Sequence, residues 1–244
     1  INAERYADMY AKSVEDPEGF WRDAAQRVDW IKPFSIVKNV NFSHPDVSIR
    51  WFEDGTLNVT SNCIDRHLAT RGDDTAIIWE PDDPDAPAQH ITYKDLHAAV
   101  CRFSNVLKEL GIGKGDRVII YLPMIPEAAC ARIGAIHSVV FAGFSPDSLA
   151  NRVNDCGAKL VITADGAPRG GRVTNLKDNA NKALLDCKDT VKCLVVKRTG
   201  QQVATRSSGD YWLHEVEATV PADCPPEEMN AEGPLFILYT SGSA

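Results

Sequence analysis

The pattern of apolar and polar positions along this 244-residue chain changes near residue 60. Residues 1–34 are rich in aromatic and charged side chains, a mixture that predicts one or two short helices that bury little by themselves. In Val47–Val59 apolar residues alternate with polar ones around Asp54-Gly55, which is a strong signal for a two-residue hairpin. The pattern therefore predicts a small N-terminal segment, residues 1–60, that is distinct from the body of the protein.

After residue 60, short apolar runs alternate with helical patterns. The strongest helix signal begins with Thr92 and Asp95, which form a capping box, and apolar residues then recur at helical spacing until Gly111. The predicted strands are Ala76–Trp79, His90–Tyr93, Arg117–Leu122, Ser138–Phe141, Leu160–Thr163 and Leu235–Tyr239, and the further helices are Glu127–His137 and Asp147–Asp155. This βαβαβ order predicts an α/β fold with a parallel sheet and helices on both faces. Ligands in such folds bind beyond the carboxyl ends of the strands, which makes the loops after Thr163 and Tyr239 candidate sites.

Both loops have the composition of a phosphate site. Leu235–Tyr239 suits a strand covered on both faces, and the hydroxyl and glycine residues of 240–243 that follow can present donors to an anion. In the other loop Arg169 and Arg172 flank two glycines, and two guanidinium groups so placed can bind a phosphate with charge-assisted hydrogen bonds. From the residues alone, a polar turn and a solvated basic turn remain open as alternatives.

Other motifs are weaker candidates for chemistry. The glycines of Gly111–Gly115 follow a helix and precede a strand, so they predict a helix C-cap and a turn and not a dinucleotide site. No G-x-x-x-x-G-K-[ST] motif occurs. Asp82, Asp83 and Asp85 are interleaved with prolines, which favours a solvated loop over a metal site. His137 is predicted to be a hydrogen-bonded structural histidine, and no Ser/His/Asp set can be assembled.

Composition excludes some classes of function. A formal charge of −8 and a pI near 5.3 argue against general affinity for nucleic acid or for an anionic membrane. The apolar stretches are far shorter than the roughly 20 residues that span a bilayer, and the charged start is unlike a secretory signal, so we expect a cytoplasmic protein. The seven cysteines form no C-x-x-C pair, which favours neither a disulfide framework nor a zinc site.

Several segments together resemble the AMP-forming acetyl-CoA synthetases of the adenylate-forming superfamily. They are Asp16–Trp21, Val47–Asn58, Arg132–Pro146, Leu160–Arg172 and Asn230–Ser243. The resemblance covers nearly the whole chain and implies that residues 1–60 are the N-terminal cap of such a synthetase. Residues 61–244 would then be the first part of its AMP-binding (adenylation) domain. It further implies an acid–thiol ligase that converts acetate, ATP and CoA into acetyl-CoA, AMP and pyrophosphate through acetyl-AMP, with Mg²⁺.

The resemblance also implies roles for particular residues. Those matching the family's CoA-binding loops are Arg169, Gly170, Gly171, Arg172, Phe141, Ala142 and Gly143. Those matching the loop that holds the ATP phosphates are Thr240, Ser241, Gly242 and Ser243. Ala142 stands where family members often have glycine, and its methyl group would narrow the approach of CoA. No catalytic residue and no metal ligand is assigned within this chain, since the family's remaining active-site residues are expected beyond residue 244, and the chain alone is expected to be inactive.

Two questions stay open at this stage. The family pattern has about two more helical turns between Ala129 and Cys130, so the sequence either carries a deletion or joins residues across a gap, and we favour the gap. A gap would also account for Ala244 after Ser243. The acyl pocket is not represented, so a propionyl-CoA or other short-chain synthetase is an alternative. A non-catalytic fragment that binds CoA or a partner protein is a second alternative, and the oligomeric state is not predicted.

Overall fold

A computed structural model of the protein describes residues 1–81, 83, 85–123, 132–169 and 171–240. The chain forms two compact units, Ile1–Asn62 with Glu228–Gly233, and Cys63–Glu227 with Pro234–Ala244. The described helices are α1 (Ala3–Glu15), α2 (Pro17–Ala24), α3 (Val59–Cys63), α4 (Leu68–Arg71), α5 (Tyr93–Glu109), α6 (Pro146–Cys156), α7 (Leu176–Leu185) and α8 (Leu213–Glu217). The described strands are β1 (Lys38–Asn41), β2 (Ser48–Trp51), β3 (Thr56–Leu57), β4 (Thr75–Trp79), β5 (Gln89–Thr92), β6 (Arg117–Tyr121), β7 (Ile136–Val139), β8 (Leu160–Ala164), β9 (Ala167–Arg169), β10 (Arg172–Thr174), β11 (Lys192–Val196), β12 (Asp210–Trp212) and β13 (Met229–Asn230).

The first unit begins with the two short helices that its sequence predicts. Asn2 caps α1 by accepting the N–H of Arg5 on its side chain. Asp16 caps α2 by accepting the N–H of Gly19, and Pro17 occupies the first turn, where its missing N–H costs nothing. Neither helix contains a buried residue, which agrees with the prediction that they bury little by themselves.

The hairpin predicted at Asp54-Gly55 is wrong. Strand β2 pairs antiparallel with β1, and β3 pairs antiparallel with β13 near the other end of the chain. The chain turns at Phe52, whose φ is 53°, and the N–H of Gly55 donates to its carbonyl oxygen at 2.9 Å. The carboxylate of Asp54 accepts the hydroxyl and N–H of Ser35 and the N–H of Ile36, and these bonds, the Ser35 hydroxyl first, lower the pKa of Asp54 to about 2. Long-range partners therefore determine this turn.

In the second unit, strands β4 and β5 and the long helix α5 confirm the local sequence signals. The two strands pair antiparallel. The capping box is present at the start of α5, where Thr92 and Asp95 each accept the other's backbone N–H. At its end the N–H of Gly111 donates to Lys108, and Gly111 has a φ of 77°, a conformation that glycine adopts without strain. The C-cap residue is Leu110, and the predicted helix end is confirmed with Gly111 directly after the cap.

A five-stranded parallel sheet in the order β12-β11-β8-β6-β7 forms the centre of the second unit. Its strands are apolar on both sides because helices flank the sheet, with α6 packed on α7 and α5 on α8. The fully buried side chains of Ile119, Leu160 and Leu194 lie on three neighbouring strands of this sheet. The predicted α/β class with a parallel sheet is confirmed.

The prediction for the segment before β7 is wrong where the structure describes it. Ile136 and His137, placed by the sequence in a helix, belong to strand β7, which pairs with β6 in a register that sets His137 opposite Val118. Pairing with a buried strand outweighs the local helical pattern. The Nδ1 atom of His137 is buried without a hydrogen bond to any described residue, so the expected hydrogen-bonded histidine is not found at that nitrogen. Burial lowers the pKa of His137 and keeps the ring neutral.

The apolar run Leu235–Tyr239 lies beside strand β7. Phe236 forms a parallel bridge with His137, and the N–H of Ile237 donates to the His137 carbonyl at 2.9 Å. Phe236 and Leu238 are 55% and 68% exposed, so the prediction of a strand covered on both faces is wrong. The junctions at 129–130 and 243–244 lie outside the described residues. Among the residues described, no helix is long and apolar enough to cross a lipid bilayer.

Candidate functional site

The candidate residues gather at the carboxyl edge of the parallel sheet. Strand β8 leads into the β9–β10 hairpin, and β11 leads into residues 198–200. Strand β7 leads into residues 141–144, and residues 235–239 run parallel to β7 towards the same edge. Since neighbouring strands lie about 4.8 Å apart, the loops that follow β7 and β8 are separated by about two strand spacings. The fold thus brings the predicted loops to one edge of one sheet.

A buried carboxylate anchors the loop after β8. Asp165 is fully buried and accepts the N–H groups of Gly166, Arg198, Thr199 and Gly200 at 2.7–3.1 Å. Burial by itself would raise the pKa of Asp165, but the hydrogen bonds from Thr199 and its neighbours outweigh it and hold the pKa below its ordinary value. The carboxylate therefore stays charged and fastens the end of β11 to the end of β8.

The β9–β10 hairpin, which carries Arg169 and Arg172, follows Asp165 directly in the chain. The backbone register sets Arg169, the last residue of β9, opposite Arg172, the first residue of β10. Gly171 between them has a φ of 75°, which a glycine adopts readily, and Arg172 is exposed. Gly170 lies outside the described residues. The register therefore places two arginines opposite each other at the turn end of a tight hairpin, and paired guanidinium groups are a combination that suits a phosphate dianion.

A cavity of about 860 Å³ opens beside the hairpin. Its walls include Trp79, Pro168, Gly171 and Arg198. The guanidinium of Arg198 lies over the indole ring of Trp79, 5.0 Å from the ring centroid. The lining is mostly apolar and also includes Asp83, and a wall of this kind with an aromatic ring and a guanidinium can accommodate a flat polar group.

The turn after β7 is held by a buried tyrosine. Tyr121, at the end of β6, is fully buried, and its hydroxyl lies 3.2 Å from the carbonyl oxygen of Ala142 and 2.9 Å from that of Phe144. Asn179 donates a further hydrogen bond to this hydroxyl at 3.3 Å. Burial raises the pKa of Tyr121, so the phenol keeps the proton that it donates. Phe141, by contrast, is 54% exposed, so this turn presents an accessible aromatic face on a fixed backbone.

The lead-in to the predicted phosphate loop is fastened to helix α6. The hydroxyl of Tyr239 donates to the carboxylate of Asp155 at 2.5 Å, and burial together with this bond raises the pKa of Tyr239. The guanidinium of Arg152, one turn earlier on α6, lies 5.1 Å from the Tyr239 ring centroid. Thr240 is exposed at the end of the described chain, and Ser241, Gly242 and Ser243 lie outside the described residues.

Comparison with known proteins identifies the family of this chain. Residues 64–244 match the family described as AMP-binding enzyme, and residues 6–63 match the one described as acetyl-coenzyme A synthetase N-terminus. The chain belongs to the AMP-binding enzyme family. Residues 64–244, which match this family, contain the parallel sheet and the loops described above.

The relatives within this family are close in sequence. An acetyl-coenzyme A synthetase of Rhodobacter capsulatus is 61% identical over 99% of this chain, and one of Novosphingobium aromaticivorans is 56% identical over all of it. The chain spans 38% of the length of each of these relatives. The structure of acetoacetyl-CoA synthetase from Streptomyces lividans superimposes with a TM-score of 0.84 at 25% identity, covering 97% of this chain and 36% of that protein.

Three residues that hold the loops of this site in place could not be identified from the sequence. Asp165, Tyr121 and Arg152 make contacts with residues that are 23 to 87 positions away. Asp165 and Tyr121 do carry one signal, because each is a polar residue at the carboxyl end of an apolar strand. Arg152 lies in an ordinary helix pattern and carries none.

Metal ligands are not found in the described part of the chain. Within residues 1–81, 83, 85–123, 132–169 and 171–240, no group of three or more His, Cys, Asp or Glu side chains could hold a metal ion. Asp83 and Asp85 are exposed, and the side chain of Asp83 accepts the N–H of Asp85 in a local turn. We therefore assign none of the described residues to a metal.

Proposed function

We propose that the chain is the first part of an AMP-forming acetate–CoA ligase, with residues 1–60 as its N-terminal cap and residues 61–244 as the first part of its adenylation domain. The enzyme would convert acetate, ATP and CoA into acetyl-CoA, AMP and pyrophosphate. The observation that carries this proposal is the identity of 56–61% to acetyl-coenzyme A synthetases over 99% or more of the chain. Its setting would be the cytoplasm.

In the first half-reaction a carboxylate oxygen of acetate attacks the α-phosphorus of ATP, and pyrophosphate leaves as acetyl-AMP forms. We assign Thr240, Ser241, Gly242 and Ser243 to the β- and γ-phosphates, through hydroxyl and backbone N–H donors. Donors placed where negative charge develops stabilise the transition state without reorganisation. Mg²⁺ would neutralise phosphate charge in this step, with ligands outside the residues described.

In the second half-reaction the CoA thiol attacks the acetyl carbonyl carbon, and AMP leaves. We assign Arg169, Gly170, Gly171 and Arg172 to the phosphates of the CoA nucleotide, and Phe141, Ala142 and Gly143 to the turn along which CoA approaches. The register that pairs the two arginines and the anchor at Asp165 support this assignment. Fixing CoA in this way would convert a bimolecular encounter into an oriented attack.

The reaction is tested by ATP–pyrophosphate exchange with the full-length enzyme, because the chain spans 38% of its relatives. We expect exchange that depends on acetate and exceeds that with propionate. Preference for propionate would make the protein a synthetase for the larger acid. Exchange with neither acid would replace the enzyme proposal by a CoA-binding or partner-binding role.

The CoA assignment is tested by replacing Arg172 with alanine in that enzyme. Loss of a charge-assisted contact worth about 1.5–3 kcal/mol should raise the KM for CoA by roughly 10- to 100-fold. Acetate-dependent exchange should not change, since CoA takes no part in the first half-reaction. The control is R102A, which removes an arginine whose ion pair with Glu217 lies on helices α5 and α8. A KM for CoA within twofold of the wild-type value in R172A would contradict the assignment.

A further inference from the structure

Helix α6 lies between the two loops that the proposed function assigns to different substrates. One is the turn at residues 141–144, assigned to CoA, which ends with Phe144. The other is the phosphate loop, which Tyr239 directly precedes. Both rings contact the same arginine of α6: the Cζ atom of Arg152 lies 4.9 Å from the Phe144 ring centroid and 5.1 Å from that of Tyr239. These distances are within the range of cation–π contacts.

The guanidinium is held in place by its own helix. Its Nη1 donates to the carbonyl oxygen of Ser148, one turn earlier, at 2.8 Å. The planar guanidinium can stack on aromatic faces, which the ammonium of lysine cannot do. Arg152 is therefore a fixed cation that contacts two aromatic side chains from separate loops.

Each ring has a second attachment that belongs to its own loop. The Tyr239 hydroxyl donates to Asp155, which lies on the same side of α6 as Arg152 because the two are three residues apart. The backbone of Phe144 is fixed by the Tyr121 hydroxyl at its carbonyl oxygen and by its own N–H, which donates to Phe141 at 3.0 Å. Arg152 is a contact that both loops share.

We propose that Arg152 is a positioning residue common to both substrate sites, which sets Tyr239, directly before the phosphate loop, and the CoA turn relative to each other. The inference rests on the proposed function for its substrates but not for its geometry. Removing the guanidinium would loosen both loops together. Changing either ring would loosen one loop alone.

The kinetic test compares R152A, R152K and Y239F in the full-length enzyme, with R102A as the control for loss of a helix-surface arginine. In R152A we expect the KM for ATP in pyrophosphate exchange and the KM for CoA in thioester formation each to rise about three- to tenfold. The kcat of either half-reaction should change less than twofold. R152K should lie between wild type and R152A, because a lysine ammonium can keep a cation–π contact with a ring but cannot stack as a planar group on both. Y239F keeps the ring but loses the bond to Asp155, and should raise the KM for ATP only.

A second measurement requires no turnover. Hydrogen exchange should show faster exchange of two amides in R152A, those of Phe144 and Ile237, whose N–H groups are bonded to Phe141 and His137. The amide of Ile162 in the buried strand β8 should exchange at the wild-type rate, which shows that the variant is folded. Wild-type protection of either Phe144 or Ile237 in folded R152A, or a rise in only one KM, overturns the proposal. If the wild-type enzyme shows no exchange with either acid, the proposed function fails while the amide measurement still decides the role of Arg152.

Discussion

Replacing Asp165 with asparagine tests how the loop after β8 is held. Oδ1 of Asp165 accepts the N–H groups of Gly166 and Arg198, and Oδ2 accepts that of Gly200 at 2.7 Å. In the variant an amide NH₂ replaces one of these oxygens, so the Gly200 N–H faces a second donor. Losing one hydrogen bond to a charged acceptor costs about 1.5–3 kcal/mol, and an unsatisfied buried donor costs about 1–3 kcal/mol more. The second cost is only partly incurred, because Gly200 is exposed and its N–H can bind water instead. We therefore expect D165N to lower the free energy of unfolding by about 3 kcal/mol.

Urea unfolding followed by circular dichroism measures this loss. With a slope near 2 kcal/mol/M, the midpoint should fall by about 1.5 M, while D189N, at an exposed aspartate, should shift it by less than about 0.3 M. The pKa of Asp165 is lower in the folded protein, so its stabilisation is present above the unfolded pKa of about 3.9 and is lost as the pH falls through the folded value. The difference between wild type and D165N should therefore be constant above about pH 5 and shrink below pH 4. A D165N protein within about 0.5 kcal/mol of wild type at pH 7 would refute the reasoning.

Three further substitutions have defined outcomes. K177M removes a fully buried ammonium that lies 2.7 Å from the carboxylate of Asp210, which keeps the guanidinium of Arg206 as a partner. We expect the free energy of unfolding in urea to fall by about 2–3 kcal/mol, and an unchanged midpoint would contradict this. G55A places a methyl carbon 2.7 Å from a ring carbon of Trp30. Overpacking of this kind should lower the free energy of unfolding by about 1–3 kcal/mol and alter tryptophan fluorescence. A melting curve identical to that of the wild type would disprove this. A142G removes a methyl group from the proposed CoA turn and should lower the KM for CoA in the full-length enzyme by about twofold at unchanged kcat. A higher KM would count against that placement of CoA.

Elements whose signals are local could be predicted from the sequence. Thr92 and Asp95 cap α5 with atoms only three residues apart, and Gly111 ends the helix by its own conformational freedom. The failures have long-range causes. The turn at Asp54 is held by Ser35, and Ile136 is drawn into a strand by pairing with Arg117.

The candidate site divides in the same way. The turn between Arg169 and Arg172 could be predicted because the two arginines and the glycines that bend the chain are adjacent. The groups that hold the site could not, since Tyr121 reaches the carbonyl oxygen of Phe144 and Arg152 reaches the ring of Tyr239 only after the sheet has formed. Periodicity identifies an apolar segment but not the elements that pack against it, so the exposure of Phe236 cannot be predicted from the sequence.

The first compact unit is discontinuous in sequence, and this has a consequence for biosynthesis. Strand β3 pairs with β13, and the side chain of Glu232 accepts the N–H of Trp51, so this unit needs residues 228–233 to complete its hydrogen bonds. On a ribosome that adds about 5–20 residues per second, β3 emerges roughly 10–30 seconds before those partners. The N-terminal unit is therefore completed only after residues Cys63–Glu227 of the other unit have been made, and a nascent chain released before residue 228 leaves β3 without its partner β13.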